Sequence, residues 1–148
     1  MEGKTATLRR ATYEDVQLLF DWVNDEDVRK NAIHTTLIDW ETHCSWLKSQ
    51  LKKNDSVLYI LESAGEAIGQ IRLDEKDNRI EISYSIAKDQ RGKGWGKYLV
   101  SEALKTRPTS RFRAVVRNEN TASANIFRSL GFKEKHSPEH TENFLIFV

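Results

Sequence analysis

One stretch constrains this chain more than any other: an alternating apolar segment that runs into a glycine-rich turn and an amphipathic segment. Apolar and polar residues alternate from Ile80 to Ile86, which predicts a strand with one buried face. The turn, Asp89–Lys97, carries three glycines at alternating positions, and 98–104 is helical in pattern. Glycine lets the backbone adopt positive φ and approach a ligand closely. At a helix N-terminus such a turn favours an anion, and a diphosphate suits it.

Spacing excludes two familiar phosphate-binding motifs for this turn. A Walker A loop needs Gly-Lys-Ser/Thr after four intervening residues, and the sequence has no such run. A dinucleotide fingerprint is G-x-G-x-x-G near the start of a βαβ unit, whereas this turn reads G-x-G-x-G in mid-chain. Arg91, Lys93 and Lys97 add positive charge around it. A tight loop with ordinary surface lysines is the alternative reading.

Composition predicts one soluble globular domain spanning residues 1–148. Hydrophobic residues make up 39% of the 148, and the formal net charge is +1, which gives no general electrostatic reason to bind nucleic acid. The single cysteine, Cys44, cannot form an internal disulfide and fits a reducing compartment. No apolar run approaches the length of a membrane span, and the N-terminus does not resemble a signal peptide. We therefore expect a cytoplasmic protein without nucleic-acid or membrane partners.

Periodicity and capping residues predict an α/β order of β-α-α-β-β-β-α-β-α-β-β with a largely antiparallel first half. Asp39 is predicted to cap the second helix and Asn120 the last, with Gly131 just beyond its end. The second helix is expected to bury Trp40, Cys44, Leu47 and Leu51. The predicted strands are 5–9, 56–62, 67–73, 79–86, 112–116, 132–134 and 143–147, and the predicted helices begin near residues 12, 40, 95 and 120. The turn-prone and acidic run Asn24–Asp27 is expected to end the first helix.

Two segments carry a resemblance to a known family. Gln90–Gly96 closely resembles the Q/R-x-x-G-x-G/A signature of the GNAT superfamily of acyl-CoA N-acetyltransferases. Val116–Phe132 resembles the V-x-x-x-N-x-x-A-x-x-x-Y-x-x-x-G-F segment of the same superfamily, with Ser123 in place of alanine and Phe127 in place of tyrosine. The resemblance covers nearly the whole chain. It implies a single mixed, mostly antiparallel sheet of about seven strands, splayed where the coenzyme inserts and flanked by about four helices.

The resemblance also implies acetyl-CoA as the acyl donor, held by the backbone of the glycine turn and of the preceding strand. In many relatives the tyrosine that Phe127 replaces is positioned to protonate the leaving thiolate, so that role is vacant here or filled from elsewhere. The residues assigned to the coenzyme are Ile86, Arg91, Gly92, Lys93, Gly94, Trp95, Gly96, Asn120 and Phe127.

Acyl transfer from a thioester to an amine needs a base, stabilisation of the carbonyl oxygen and a departing thiolate. Glu81 is the candidate base, with an exposed sheet carboxylate as its alternative reading. Tyr84 is the candidate acid for the thiolate, with core packing as its alternative. Direct transfer in a ternary complex is preferred over a covalent route through Cys44, because a cysteine on an apolar stripe is ordinarily structural.

A metal site is not expected. His136 and His140 have a helical spacing, but Pro138 between them argues against a helix that would display both. That polar segment is instead expected to form a loop near the acceptor site.

The acceptor is interpreted from a narrower resemblance. Trp22–Arg29, Ile38–Trp46 and Ile68–Asp74 are similar to a GNAT branch that acts on nucleotide-linked amino sugars, including the N-acetyltransferases of the pseudaminic acid pathway. The resemblance implies that Arg29 and His43 bind the nucleotide or the sugar, whereas a solvated arginine and a surface histidine are the alternatives. Acetylation of protein N-termini or of other small amines stays open, as does a coenzyme-A-binding sensor without turnover. Both a monomer and a homodimer fit the sequence.

Overall fold

The computed structural model describes residues 5–135 and 143–148, and the predicted polar loop with His136 and His140 lies outside them. Its strands are β1 Thr7–Arg10, β2 Ser56–Ser63, β3 Glu66–Lys76, β4 Arg79–Ile86, β5 Phe112–Arg117, β6 Glu134–Lys135 and β7 Phe144–Phe147. Its α-helices are α1 Val16–Val23, α2 Glu26–Asn31, α3 Trp40–Gln50, α4 Trp95–Lys105 and α5 Thr121–Ser129. Short 3-10 turns precede α1 and α4.

The seven strands form one sheet in the order β1-β2-β3-β4-β5-β7-β6. All neighbours are antiparallel except β4 and β5, which are parallel and pair only at Ile80 with Phe112 and at Glu81 with Arg113. Beyond those pairs the two strands part. We call the space between 82–86 of β4 and 114–117 of β5 the gap. The predicted mixed, splayed sheet is therefore confirmed.

The sheet is covered on both faces. On one face α4 and α5 contribute Leu99, Val100 and Phe127 to the larger apolar core. On the other, α1 and α3 contribute Leu19 and Leu47 to a smaller one. Side chains of a strand alternate between faces, so Tyr84 belongs to the α4–α5 face and its odd-numbered neighbours to the α1–α3 face.

Two helical expectations are corrected. The first helix, α1, ends at Asn24–Asp27 as expected, but the predicted order lacks α2, which Asp25 caps by accepting from the N–H groups of Asp27 and Val28. In α3 the predicted cap at Asp39 is present, with its carboxylate accepting from Thr42 N–H. Of the predicted buried face only Leu47 is fully buried. The other buried residues of α3 are His43 and Gln50, whereas Trp40 is 42% and Leu51 38% exposed.

Candidate active site

The glycine turn is built as a preformed set of backbone donors. Gly94 is the N-cap of α4 with φ of 85°, and Gly92 has φ of 75°, both in the left-handed region that only glycine adopts at low cost. The first bond of the helix runs from Tyr98 N–H to Gly94 O at 3.3 Å. N–H groups before that point, such as that of Gly96, have no acceptor within the helix and form the positive end of its dipole. This arrangement suits a diphosphate.

Close packing fixes this turn against the rest of the site. A Cβ added to Gly96 would lie 2.9 Å from Ile126 Cδ1 and 3.6 Å from Tyr84 Cε2, so the end of the Ile126 side chain would have to move to admit it. The Trp95 ring lies in the core, 6% exposed, edge-on to Tyr98. The Trp95 ring thus offers no surface to a ligand in the turn.

The gap meets the geometric demand of an extended, amide-containing arm such as pantetheine. Beyond Glu81 and Arg113 the facing edges of β4 and β5 make no ladder bonds to each other. An unpaired strand edge is a template for pairing with an extended ligand. The gap lies directly before the glycine turn in sequence, because β4 ends at Ile86. The turn and the gap together fit coenzyme A.

Arg91 occupies a different position from the one expected of a phosphate ligand. Its guanidinium donates to Asp25 at 2.9 Å, to Asp27 at 3.1 Å and to the carbonyl oxygen of Ile86 at 3.0 Å. Burial would raise the pKa of Asp25, but the hydrogen bond from Arg91 and those from the α2 backbone lower it below its ordinary value. Arg91 therefore ties the start of the glycine turn to the cap of α2.

The second sequence segment places its two marked residues in structural roles. Asn120 caps α5, and its side-chain oxygen accepts from Ser123 N–H at 3.2 Å. Phe127 is 1% exposed and stacks on Phe147 at 5.8 Å between ring centroids. Its ring is thus part of the core in this structure and offers no surface to the coenzyme.

Glu81 and Arg113 lie side by side where β4 and β5 begin to part. Both are half-buried and belong to the face covered by α1 and α3. Within residues 5–135 and 143–148 the carboxylate of Glu81 forms no hydrogen bond or ion pair, and Arg113 Nε is buried without a partner. A carboxylate and a guanidinium are therefore uncommitted at the closed end of the gap.

Tyr84 faces the opposite side of the sheet, where its hydroxyl donates to Ser123 Oγ at 2.9 Å. Its ring lies edge-on to Phe127, with 6.1 Å between centroids. Burial raises the pKa of the Tyr84 hydroxyl above its ordinary value, against a smaller lowering by the bond with Ser123. Ser123 was not singled out as a site residue. Its only signal in the sequence was serine where the family segment has alanine.

The two residues expected to bind the acceptor make internal contacts. The Arg29 guanidinium donates to the carbonyl oxygens of Val23, His34 and Thr36, which fixes the loop after α2. His43 is 2% exposed, and its Nε2 lies 2.9 Å from the carbonyl oxygen of Val16. In this structure the side chain of Arg29 thus holds α1, α2 and the loop after α2 together, and that of His43 ties α3 to α1.

A cleft of about 570 Å³ lies between the ends of α1 and β4. Its floor is apolar, and three carboxylates stand around it, a feature that the sequence did not reveal because its residues come from separate segments. Arg91 and Lys88 also reach it. The cleft is lined by Asp21, Trp22, Asp25, Val28, Ile86, Ala87, Lys88, Asp89 and Arg91.

In the part of the chain that the structure describes, no group of three or more His, Cys, Asp or Glu side chains could hold a metal ion. None of the helices described is long and apolar enough to cross a membrane.

Comparison with known proteins agrees with this geometry. Residues 6–133 match the family described as "Acetyltransferase (GNAT) domain". An uncharacterized N-acetyltransferase, p20 of Bacillus licheniformis, is 28% identical over 87% of this chain and 79% of its own. A domain from Methanocaldococcus jannaschii superposes with a TM-score of 0.84 at 25% identity, over 97% of both chains.

The spermidine N-acetyltransferase of Vibrio cholerae, solved with CoA and spermine, superposes with a TM-score of 0.84 at 18% identity, over 97% of this chain and 94% of its own. At that identity the similarity speaks for the fold alone. The family match covers most of the described residues, including the glycine turn and both strands that border the gap. The chain therefore belongs to the GNAT acetyltransferases and is an acetyl-CoA-dependent N-acetyltransferase.

Proposed function

We propose that this protein acetylates the primary amine of a small molecule, with the coenzyme diphosphate on the backbone of Gly92–Gly96 and the pantetheine arm in the gap. The observation that carries the proposal is the adjacency of the two features. The left-handed glycines at the N-terminus of α4 follow directly on the strand edge that is freed where β4 leaves β5. A diphosphate and an extended amide arm need these two kinds of site in that order.

Glu81 is proposed as the base that takes the proton from the attacking amine. It faces the side of the sheet opposite Tyr84, so an amine would reach the thioester from the side of α1 and α3. Its carboxylate is uncommitted within the described residues, which leaves it available to an incoming group. Arg113 beside it could meet a polar group of the acceptor, because its Nε lacks a partner in the described chain.

The acceptor we propose is a nucleotide-linked amino sugar. Support comes from the three segments that resemble enzymes of that branch, because Trp22–Arg29, Ile38–Trp46 and Ile68–Asp74 all fall in elements that surround the α1–α3 face. Trp22 lines the cleft and could stack on a sugar or a base. Arg29 and His43 do not support this choice, since both make internal contacts.

A small, multiply charged amine is the second candidate. The carboxylates of Asp21, Asp25 and Asp89 around the cleft favour a cation. Asp21 and Asp89 are exposed, whereas Asp25 is paired with Arg91. The structurally similar Vibrio cholerae enzyme acts on spermidine. Whichever acceptor is used, we propose that the protein is cytoplasmic, because its single cysteine fits a reducing compartment.

Thiol release from acetyl-CoA, measured against a panel of amines, tests these alternatives. We expect turnover with UDP-linked 4-amino sugars and none with peptides that have free N-termini. Turnover with spermidine alone would favour the charged amine and contradict the sugar. If calorimetry shows acetyl-CoA binding but no amine is acetylated, the protein is a coenzyme sensor and the proposed activity is wrong.

A further inference from the structure

Breaking the thioester leaves a thiolate that needs a proton or a hydrogen-bond donor in the gap. The wall of the gap on the α4–α5 side offers two hydroxyl groups, those of the partly buried Tyr84 and the buried Ser123. Phe127, which contacts the same region, is a hydrocarbon ring and donates nothing. The Tyr84 and Ser123 hydroxyl groups are therefore the candidate source of the proton.

The bond between the two hydroxyls spans the two sides of the gap. Tyr84 lies on β4, and Ser123 lies in the first turn of α5, which follows β5. Their oxygens are 2.9 Å apart, and Ser123 is 7% exposed. The pantetheine arm proposed above would enter between these elements, so its sulfur would pass close to this pair.

Both partners are held in place by their surroundings. The backbone N–H of Ser123 donates to the side chain of Asn120, which holds the backbone of Ser123 at the start of α5. The Tyr84 ring lies between Phe127 and the bare Cα of Gly96, where a side chain would lie 3.6 Å from the ring. Burial keeps the pKa of Tyr84 above its ordinary value, so the hydroxyl carries its proton at neutral pH.

We propose that Tyr84 protonates the leaving thiolate and that Ser123 is the residue that positions it. This inference rests on the proposed function of the gap. In the step, the amine nitrogen bonds to the carbonyl carbon and gives one proton to the base. The carbon–sulfur bond breaks with its electron pair on sulfur, and sulfur takes the Tyr84 proton. Ser123 then turns its O–H to donate a hydrogen bond to the phenolate while keeping its own proton, and the phenolate oxygen takes a proton from solvent.

Removal of the Tyr84 hydroxyl gives the first test. Tyr84→Phe should lower kcat by about 10²-fold or more, the usual contribution of a positioned acid, with KM for acetyl-CoA little changed. Tyr98→Phe on α4 is the matched control and should leave kcat unchanged. A kcat for Tyr84→Phe equal to that of the wild type would overturn the assignment.

Ser123→Ala tests the positioning role by a measurement that needs neither coenzyme nor acceptor. The hydrogen bond with Ser123 lowers the pKa of Tyr84, because the Ser123 O–H can turn to donate to the phenolate. Its loss should therefore shift the titration of one tyrosine to a higher pH in an ultraviolet titration of the free protein. The same transition should be absent in Tyr84→Phe. The variant should also lose about tenfold in kcat, as expected for one hydrogen bond to a charged group, and Ser123→Thr should restore most of it.

Ser129→Ala, at the exposed end of α5, is the control for both readouts. A tyrosine titration unchanged by Ser123→Ala would show that the bond does not hold Tyr84 and would overturn the inference. If the wild type acetylates no amine at all, the proposed function fails instead. The titration still decides whether Ser123 positions Tyr84.

Discussion

The donor side and the acceptor side of this protein use their charged and polar residues in opposite ways. On the donor side, the glycine turn presents backbone groups whose direction is set locally by two left-handed glycines and a helix start. On the acceptor side, the side chains of Arg29 in α2 and His43 in α3 instead make internal contacts that hold α1, α2 and α3 together. Arg29 holds a loop, and His43 bonds to α1. A motif therefore identified the donor, whereas Arg29 and His43, the residues predicted to bind the acceptor, make internal contacts in this structure.

Glu81→Gln should have the largest effect and would show that the two sides meet at this residue. Loss of the base should lower kcat by about 10² to 10⁴-fold while the affinity for acetyl-CoA is retained. Steady-state kinetics and calorimetry measure the two quantities separately. Glu75→Gln, a carboxylate on the neighbouring strand β3, is the control. Equal kcat values for Glu81→Gln and the wild type would show that Glu81 is not the base.

His43→Asn tests whether the acceptor side uses this histidine for stability or for binding. The variant loses the bond to the Val16 carbonyl and ring contacts with Phe20 and Trp46. We expect the free energy of unfolding to fall by about 2 kcal/mol, as it does when a buried hydrogen bond and its packing are lost elsewhere. Denaturant unfolding measures this change, and His34→Asn on the exposed loop is the control. A raised KM for the acceptor with unchanged stability would instead make His43 a ligand.

Arg91→Lys tests the connection between the two sides. Lysine keeps the charge but cannot reproduce the three bonds to Asp25, Asp27 and the Ile86 carbonyl. We expect the Kd for acetyl-CoA and the KM for the acceptor to rise together by up to about tenfold, because a hydrogen bond to a charged group contributes about that much. Asp25→Asn should give the same pattern. An effect of Arg91→Lys on acetyl-CoA alone, with Asp25→Asn silent, would mean that Arg91 binds phosphate.

Asp15→Asn is expected to have the smallest effect and concerns the anchoring of α1. The hydrogen bond from Arg9 lowers the pKa of Asp15, against burial, which raises it. The two oxygens lie 2.9 and 2.8 Å from the guanidinium. We expect Asp15→Asn to lower the free energy of unfolding by about 1–2 kcal/mol at neutral pH.

Because the pKa of Asp15 is lowered in the folded state, its contribution is complete above the ordinary value of 3.8 and is lost as the pH falls through the folded value. The stability difference between wild type and Asp15→Asn should therefore shrink in acid. Thermal unfolding across that range measures it, with Asp21→Asn on the exposed face of α1 as the control. A difference that is independent of pH would show that ionisation of Asp15 does not matter.

Features set by neighbours in sequence were predicted well. The caps at Asp39 and Asn120, the strand from Arg79 to Ile86 and the helix after the glycine turn depend on a few adjacent residues, and all are present. α2 was missed because Asp25 was interpreted as a stop signal, although a residue that ends one helix can cap the next.

Features set by distant contacts could not be predicted. The buried face of α3 turns His43 inward because α1 supplies a carbonyl acceptor at Val16. The partners of Arg91 lie on α2, far away in sequence, and the partner of Tyr84 lies on α5. Periodicity shows that a helix has an apolar face, but the packing of the neighbouring helix decides which polar residue joins that face.

The central claim, that the glycine turn holds the coenzyme diphosphate through its backbone, is tested most directly by calorimetry with acetyl-CoA on a matched pair of variants. Gly94→Val and Gly131→Val place the same side chain at left-handed positions, with φ of 85° and 92°. In Gly94→Val the turn should lose one or more charge-assisted hydrogen bonds to the diphosphate. The Kd for acetyl-CoA should therefore rise about tenfold to hundredfold. Gly131→Val should lose comparable stability and keep wild-type affinity. Equal affinities of the two variants would contradict the claim.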